Sequence, residues 1–94
     1  MRNLTEESFA AVLSQLRKDA GLSQANLSLK CNKDRSFISM LERGKRLPSL
    51  ETVFDIAKGL EMEASAIVRM VEQKMKEGKL KVTIKLGRPK ITPI

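Results

Sequence analysis

Residues that end helices recur at short intervals along this chain, and they restrict it to short helical segments. Gly21 and Gly44 each follow a stretch with helical spacing of apolar residues, and Asn32 follows a third such stretch. Glycine, and to a lesser degree asparagine, tolerates the left-handed backbone that terminates helices. Residues that can cap a helix N-terminus stand at the predicted starts: Thr5, Ser23, Asp34 and Ser49. The pattern predicts an all-α fold.

Five helices are predicted from these boundaries and from the apolar spacing within them. They run from the Thr5 cap to Gly21, from Gln24 to about Cys31, from the Asp34 cap to about Arg43, from Pro48 and Ser49 to Leu60, and from about Ala64 to Lys76. Because the chain has 94 residues, it can bury a single modest core.

Apolar residues recur at three- and four-residue intervals in these helices, as expected of helices that pack on one core. The predicted apolar positions are Phe9, Val12, Leu13, Leu16, Ala20, Phe37, Ile38, Leu41, Leu50, Val53, Phe54, Ala57, Leu60, Ile67, Val68, Met70, Val71 and Met75.

The end of the chain has a different period. Apolar and mostly basic residues alternate from Lys79 to Leu86, which is typical of a β-strand. The sequence therefore predicts two regions, a helical domain over 1–77 and a basic strand or tail over 78–94. Three interpretations of the second region stay open: a strand that strengthens a dimer, a basic arm on DNA phosphates, and a segment that is disordered or docks to another protein. The pattern favours a strand over about 79–86 with a mobile basic end.

Net positive charge is confined to two parts of the chain, although basic side chains occur elsewhere too. The chain carries 18 basic and 11 acidic side chains, for a net charge of +7. Residues 30–46 have six basic and two acidic side chains, and residues 78–94 have five basic and no acidic ones. A strongly basic chain indicates an acidic partner, most commonly nucleic acid. Only 3% of the residues are aromatic, which disfavours recognition of single strands by base stacking.

Several classes of protein are disfavoured by what the sequence lacks. It has no histidine and one cysteine, Cys31, so histidine-dependent catalysis, a thiolate zinc cluster and an internal disulfide are not expected. No apolar run approaches the length of a membrane span, and the N-terminus has no signal-peptide core. We expect a cytoplasmic protein that is not an enzyme and has no cofactor, no metal and no membrane partner.

A set of residues at fixed spacing points to one family. It comprises Leu22-Ser23-Gln24, Leu27, Phe37-Ile38-Ser39, Glu42-Arg43-Gly44-Lys45-Arg46, Pro48-Ser49-Leu50-Glu51 and Ala57-Lys58-Gly59-Leu60. This set resembles the lambda-repressor/Cro-type (XRE) helix-turn-helix family, and residues 34–39 resemble the recognition helix of restriction–modification controller proteins. The sequence departs from the family pattern at Ser28, Asn32 and Lys33, where alanine, glycine and an apolar residue are usual.

The third helix is the candidate recognition helix, because a helix fits the major groove and its first residues reach base edges. Its apolar residues should anchor it to the core, which leaves polar side chains on the other face. The predicted base-contacting residues are Arg35, Ser36, Ser39, Met40 and Lys33. Arg35 can donate two hydrogen bonds to a guanine. The alternative for Arg35 is a solvated residue of the first turn.

Phosphate contacts are predicted for Gln24, Arg43, Lys45 and Arg46. Gln24 begins the second helix, where its side chain and backbone amide could bind a phosphate, and the resemblance implies the same role. The alternative for Gln24 is an ordinary residue of the helix surface. Arg43, Lys45 and Arg46 follow the recognition helix and should meet the DNA backbone. For Glu42 and Arg43 a structural alternative stays open, in which they form ion pairs inside the protein.

The fifth helix is the predicted dimer surface, through Ile67, Val68, Met70 and Val71, and the resemblance implies pairing there. The alternative is that Ile67 and Val71 complete the monomer core. A homodimer would place two recognition helices about 34 Å apart on double-stranded DNA, so the operator should be near-palindromic.

The resemblance implies a five-helix lambda-repressor-like domain and a sequence-specific, dimeric regulator of transcription, such as a restriction–modification controller or a phage-type repressor. The alternative function is an antitoxin-type regulator whose tail binds a partner toxin.

Overall fold

The computed structural model describes the backbone of residues 3–85 and the side chains of residues 3–78. Five α-helices follow one another in this part of the chain: α1 (Leu4–Asp19), α2 (Gln24–Lys30), α3 (Arg35–Glu42), α4 (Leu50–Gly59) and α5 (Ala64–Lys85). The described residues contain no strand. The all-α prediction is therefore confirmed, and α2 to α4 match their predicted bounds to within one or two residues.

Helix ends follow the predicted chemistry at most sites. Ser23 and Ser49 cap α2 and α4 by accepting hydrogen bonds from backbone N–H groups three residues on, at 2.9 and 3.1 Å. Gly21, Asn32 and Gly44 have φ angles of 72°, 56° and 70°, so each adopts the predicted left-handed conformation. These turns fix where the chain changes direction around the core.

The predicted Thr5 cap of α1 is wrong. The helix begins at Leu4, and Asn3 caps it by accepting a hydrogen bond from the Glu6 N–H at 2.8 Å. The Glu6 carboxylate accepts in return from the Asn3 N–H at 3.5 Å, which completes a capping box. Asparagine with glutamate three residues on satisfies two free amides at once, whereas Thr5 lies inside the first turn.

The predicted strand at 79–86 is also wrong over 79–85, which continues α5 as a helix; residue 86 and the rest of the tail lie outside the described residues. Helix α5 packs against α1, and a Cβ at Gly78 would lie 2.9 Å from the mobile end of the Leu4 side chain, so the two helices are still close to each other at this point. The helix reaches residue 79 already nucleated, and each further residue adds a hydrogen bond.

The core lies where all five helices meet. α1 packs against α3 and α5, α2 packs against α3 and α4, and α4 packs against α5. The largest side chains that are fully buried in it are Leu13, Leu27, Ile38, Leu41, Ile56 and Ile67. Among the described residues, no helix is both long and apolar enough to cross a membrane.

The predicted inward face of α4 is partly wrong. Leu50 and Phe54 are 68% and 57% exposed, whereas Ile56, which was not predicted to face inward, is fully buried. Val53 and Ala57 do face the core as predicted. Helix α4 has apolar residues on two faces, and periodicity alone does not show which face meets the rest of the domain.

Candidate nucleic-acid interface

The turn between α2 and α3 sets the direction of α3. Cys31 ends α2, Asn32 adopts the left-handed conformation, and the Lys33 N–H donates to the Ser28 carbonyl at 2.9 Å. Asp34 then occupies the N-cap position of α3, as predicted. Its carboxylate accepts no backbone hydrogen bond there and accepts instead from the Ser36 hydroxyl.

Two residues anchor α3 to the core. Ile38 and Leu41 have no exposed surface, and Phe37 is partly buried against the same cluster. Because they occupy one side of the helix, the opposite side is presented to solvent. This arrangement confirms the apolar side that was predicted for the third helix.

The exposed side of α3 carries four of the five predicted base-contacting residues. Arg35 and Ser36 are exposed at its first turn, and Ser39 and Met40 are half-buried one turn further on. Arg35 forms no ion pair with any residue of the described part of the chain. Its five guanidinium N–H donors are therefore available to an external acceptor.

The fifth residue, Lys33, lies elsewhere. Its Nζ is 3.0 Å from Asp55 Oδ2 on α4, and the side chain is only 25% exposed. The hydrogen bond with Asp55 raises the pKa of Lys33, so the ammonium group stays charged at neutral pH. The structure thus places Lys33 between the turn and α4, apart from the exposed side of α3.

A buried ion pair ties the end of α3 to α1. Arg17 Nε lies 2.6 Å from Glu42 Oε2 and Arg17 Nη2 lies 3.0 Å from Glu42 Oε1, with side-chain exposures of 13% and 6%. Arg17 also donates to the Leu22 carbonyl at 2.8 Å. The hydrogen bond with Glu42 raises the pKa of Arg17. The structural alternative for Glu42 is confirmed. Its partner was missed, because nothing local relates residues 25 positions apart.

Gln24 belongs to the same network. Its amide Nε2 donates to Glu42 Oε1 at 3.1 Å, and the side chain is half-buried at the first position of α2. In this structure its amide group is therefore engaged within the protein, next to the backbone amides of the α2 N-terminus.

The predicted phosphate-binding cations follow α3 directly. Arg43, Lys45 and Arg46 are all exposed. Arg43 Nε donates to the Ser39 carbonyl at 3.4 Å, and the Arg46 guanidinium lies 5.7 Å from the centre of the Phe37 ring. The ring contact restrains Arg46 beside α3, since a guanidinium over an aromatic face is attracted to it.

The residues predicted to form the dimer surface divide into two groups. Ile67 and Val71 are 1% and 9% exposed within the monomer, as in the alternative that assigned them to the core. Val68 and Met70 are 49% and 38% exposed. The sequence reasoning missed the exposed Leu50 and Phe54 on α4, which packs against α5.

Comparison with known proteins gives a class that fits this geometry. A helix-turn-helix family model matches residues 13–67, which is more than half of the chain. The chain belongs to the helix-turn-helix family of DNA-binding transcriptional regulators, of the lambda-repressor/Cro (XRE) type.

Individual relatives agree with the class. The uncharacterized HTH-type transcriptional regulator y4dJ of Sinorhizobium fredii (strain NBRC 101917 / NGR234) is 33% identical over 60 residues, which cover 64% of this chain and 73% of the relative. The immunity repressor protein of Bacillus phage phi105 is 38% identical over 56 residues, which cover 60% of this chain and 39% of the repressor.

A solved structure matches more of the chain. The restriction–modification controller protein C.Esp1396I, as a tetramer in complex with its natural 35 base-pair operator, superposes with a TM-score of 0.72 at 27% identity, covering 79% of this chain and 97% of the controller. The resemblance to controller proteins is thereby confirmed.

Proposed function

We propose that this chain is a sequence-specific, double-stranded DNA-binding regulator of transcription that acts as a homodimer on a near-palindromic operator. The observation that carries the proposal is the exposed side of α3, where Arg35 has no ion-pair partner among the described residues while Ile38 and Leu41 hold the opposite side in the core. A helix held in this way can enter the major groove without rearrangement of the domain.

Base contacts are assigned to Arg35, Ser36, Ser39 and Met40. A guanidinium can bind O6 and N7 of one guanine, and serine hydroxyls can donate to or accept from base edges. Ser36 is oriented by its hydrogen bond to Asp34, and Met40 offers apolar contact to a thymine methyl group.

Phosphate contacts are assigned to Arg43, Lys45 and Arg46, which extend the cationic surface beyond the end of α3. Each contact of this kind releases counterions from the DNA and makes binding more sensitive to salt. A further phosphate contact is assigned to the backbone amide of Gln24 at the start of α2, because its side-chain amide already donates to Glu42.

Dimer contacts are assigned to Leu50 and Phe54 of α4 and to Val68 of α5. Met70 is two residues further on and lies on the other side of α5, in a groove with Ala11 and Val12 of α1, so it is not assigned to this surface. Leu50, Phe54 and Val68 are large apolar side chains that are exposed in the described part of the chain, and such surface marks a site of contact with another protein. The operator-bound tetramer of the similar controller protein supports binding by more than one chain. We propose that the protein binds DNA in the cytoplasm and does not catalyse a reaction.

Selection from a pool of random duplexes tests the proposal. We expect the chain to enrich an inverted repeat whose half-sites are centred about 10 base pairs apart, one turn of the double helix. The same selection at a higher salt concentration controls for nonspecific attraction to phosphates. A pool that stays random, or a single unrepeated half-site, would contradict the proposal.

A further inference from the structure

The turn before the recognition helix is tied to α4 at two points. At the first, a Cβ at Gly59 would lie only 3.2 Å from the Cβ and the backbone nitrogen of Cys31, so the end of α2 rests directly on the α4 backbone. At the second, Lys33 reaches Asp55, one helical turn before Gly59, with 3.0 Å between Nζ and Oδ2.

The backbone leaves Lys33 little freedom at this place. Asn32 has a φ angle of 56°, and the Lys33 N–H is fixed by its hydrogen bond to the Ser28 carbonyl. The ion pair with Asp55 therefore adds a second tie between the turn and α4, beside the close approach of Cys31 to Gly59.

Asp55 lies next to the exposed apolar residues of α4. It directly follows Phe54, which is 57% exposed on the proposed dimer surface, and Leu50 lies one turn earlier. Lys33 in turn precedes the N-cap of α3 by one residue. The ion pair thus joins the start of the recognition helix to the helix that meets the second chain.

We propose that Lys33 is a positioning residue, whose ion pair with Asp55 sets the orientation of α3 relative to α4 and thereby the spacing of the two recognition helices in the dimer. The inference rests on the proposed function. It replaces the base contact that the sequence predicted for Lys33.

The two partners have opposite charges, which separates positioning from direct DNA contact. Lys33→Met removes a positive charge, and Asp55→Asn removes a negative one. If charge near the phosphates were all that mattered, the first change would weaken DNA binding and the second would strengthen it. If the pair positions α3, both changes weaken binding, because either one breaks the same contact.

Binding to the operator selected by the wild-type chain tests the inference. We expect Lys33→Met and Asp55→Asn each to weaken binding by about three- to ten-fold, as for a half-exposed ion pair, and the double variant to be no weaker than either single one. Lys33→Arg keeps the pair and should keep the affinity.

A second readout separates positioning from a purely structural role. The same proteins are measured on operators whose half-sites are moved one base pair closer or further apart. The spacing preference is the ratio of the affinity for the selected operator to the affinity for an operator of altered spacing. We expect this ratio to fall at least about three-fold in both single variants, because an unrestrained α3 tolerates other separations. The slope of log affinity against log salt should stay unchanged for Lys33→Met.

Matched variants provide the controls. Lys30 and Glu61 approach at 3.9 Å, and Glu61 is 84% exposed, so Lys30→Met and Glu61→Gln remove the same charges without breaking a close contact. We expect these controls to keep the wild-type spacing preference. Lys45→Met is the control for a lost phosphate contact. In this variant the slope of log affinity against log salt concentration should be smaller by about 0.9 per contact.

Two results would overturn the positioning role alone. One is an Asp55→Asn variant that binds as well as wild type while Lys33→Met binds less well with a smaller salt slope, since Lys33 would then contact DNA. The other is a wild-type affinity and spacing preference in both variants. A wild-type chain that selects no operator would overturn the proposed function, and the positioning role with it.

Discussion

Helices α3 and α4 each leave one side uncovered, and the two sides have opposite chemistry. The outer side of α3 carries Arg35 and Ser36, whereas the outer side of α4 carries Leu50 and Phe54. Both helices are anchored by fully buried residues on the inner side, Ile38 and Leu41 in α3 and Ile56 in α4.

The difference separates two kinds of partner. Guanidinium and hydroxyl groups are well solvated alone, and they gain specificity when a ligand offers matching acceptors, as base edges and phosphates do. The free energy falls when exposed leucine and phenylalanine side chains leave water. A second apolar protein surface allows them to do so, whereas a charged duplex does not. One domain can therefore bind DNA with α3 and a second chain with α4 and α5.

The largest effect is expected from breaking the buried ion pair between Arg17 and Glu42, which ties the end of α3 to α1. Glu42→Gln preserves the shape of the side chain but leaves Arg17 without a negative partner, so the free energy of unfolding should fall by about 2–4 kcal/mol. Urea denaturation measures the change. Glu61→Gln is the control, because its ion pair is loose and exposed, and it should unfold like wild type. Equal midpoints for the two variants would contradict a structural role for the Arg17–Glu42 pair.

The next effect concerns the apolar side of α4. Phe54→Glu places a charge on the proposed dimer surface, so we expect the dimer to dissociate on the order of a hundred-fold more readily, with the fold of each chain retained. Sedimentation equilibrium measures the dissociation constant. Leu29→Glu is the matched control, since Leu29 on α2 is 79% exposed and has no proposed role. A Phe54→Glu chain that stays dimeric would place the dimer surface elsewhere.

How far the sequence could predict this fold depends on the range of the interactions involved. The helix ends at Gly21, Asn32 and Gly44 were predicted correctly because left-handed backbone is a local property of the residue. The inner side of α3 was predicted for a related reason, since its apolar residues lie on one side only. Local patterns therefore located α3 and its buried side.

The errors arose where distant residues decide the outcome. Alternation in 79–85 indicated a strand, but these residues continue α5, whose earlier turns pack against α1 and α4. The inward side of α4 depends on which of its two apolar faces meets α5. The partners of Glu42 and Lys33 lie on other helices, at Arg17 and Asp55, and no spacing rule relates them.

The most direct test of the central claim, that the exposed side of α3 recognises base edges, is a measurement on Arg35. Affinities of wild type and Arg35→Ala are determined for every single-base substitution in the selected operator, with Lys74→Ala on α5 as a control for charge. We predict that Arg35→Ala binds about 5- to 150-fold more weakly, corresponding to about 1–3 kcal/mol, and loses base preference at one symmetric pair of positions. An Arg35→Ala chain that keeps the wild-type preference at every position would contradict the claim.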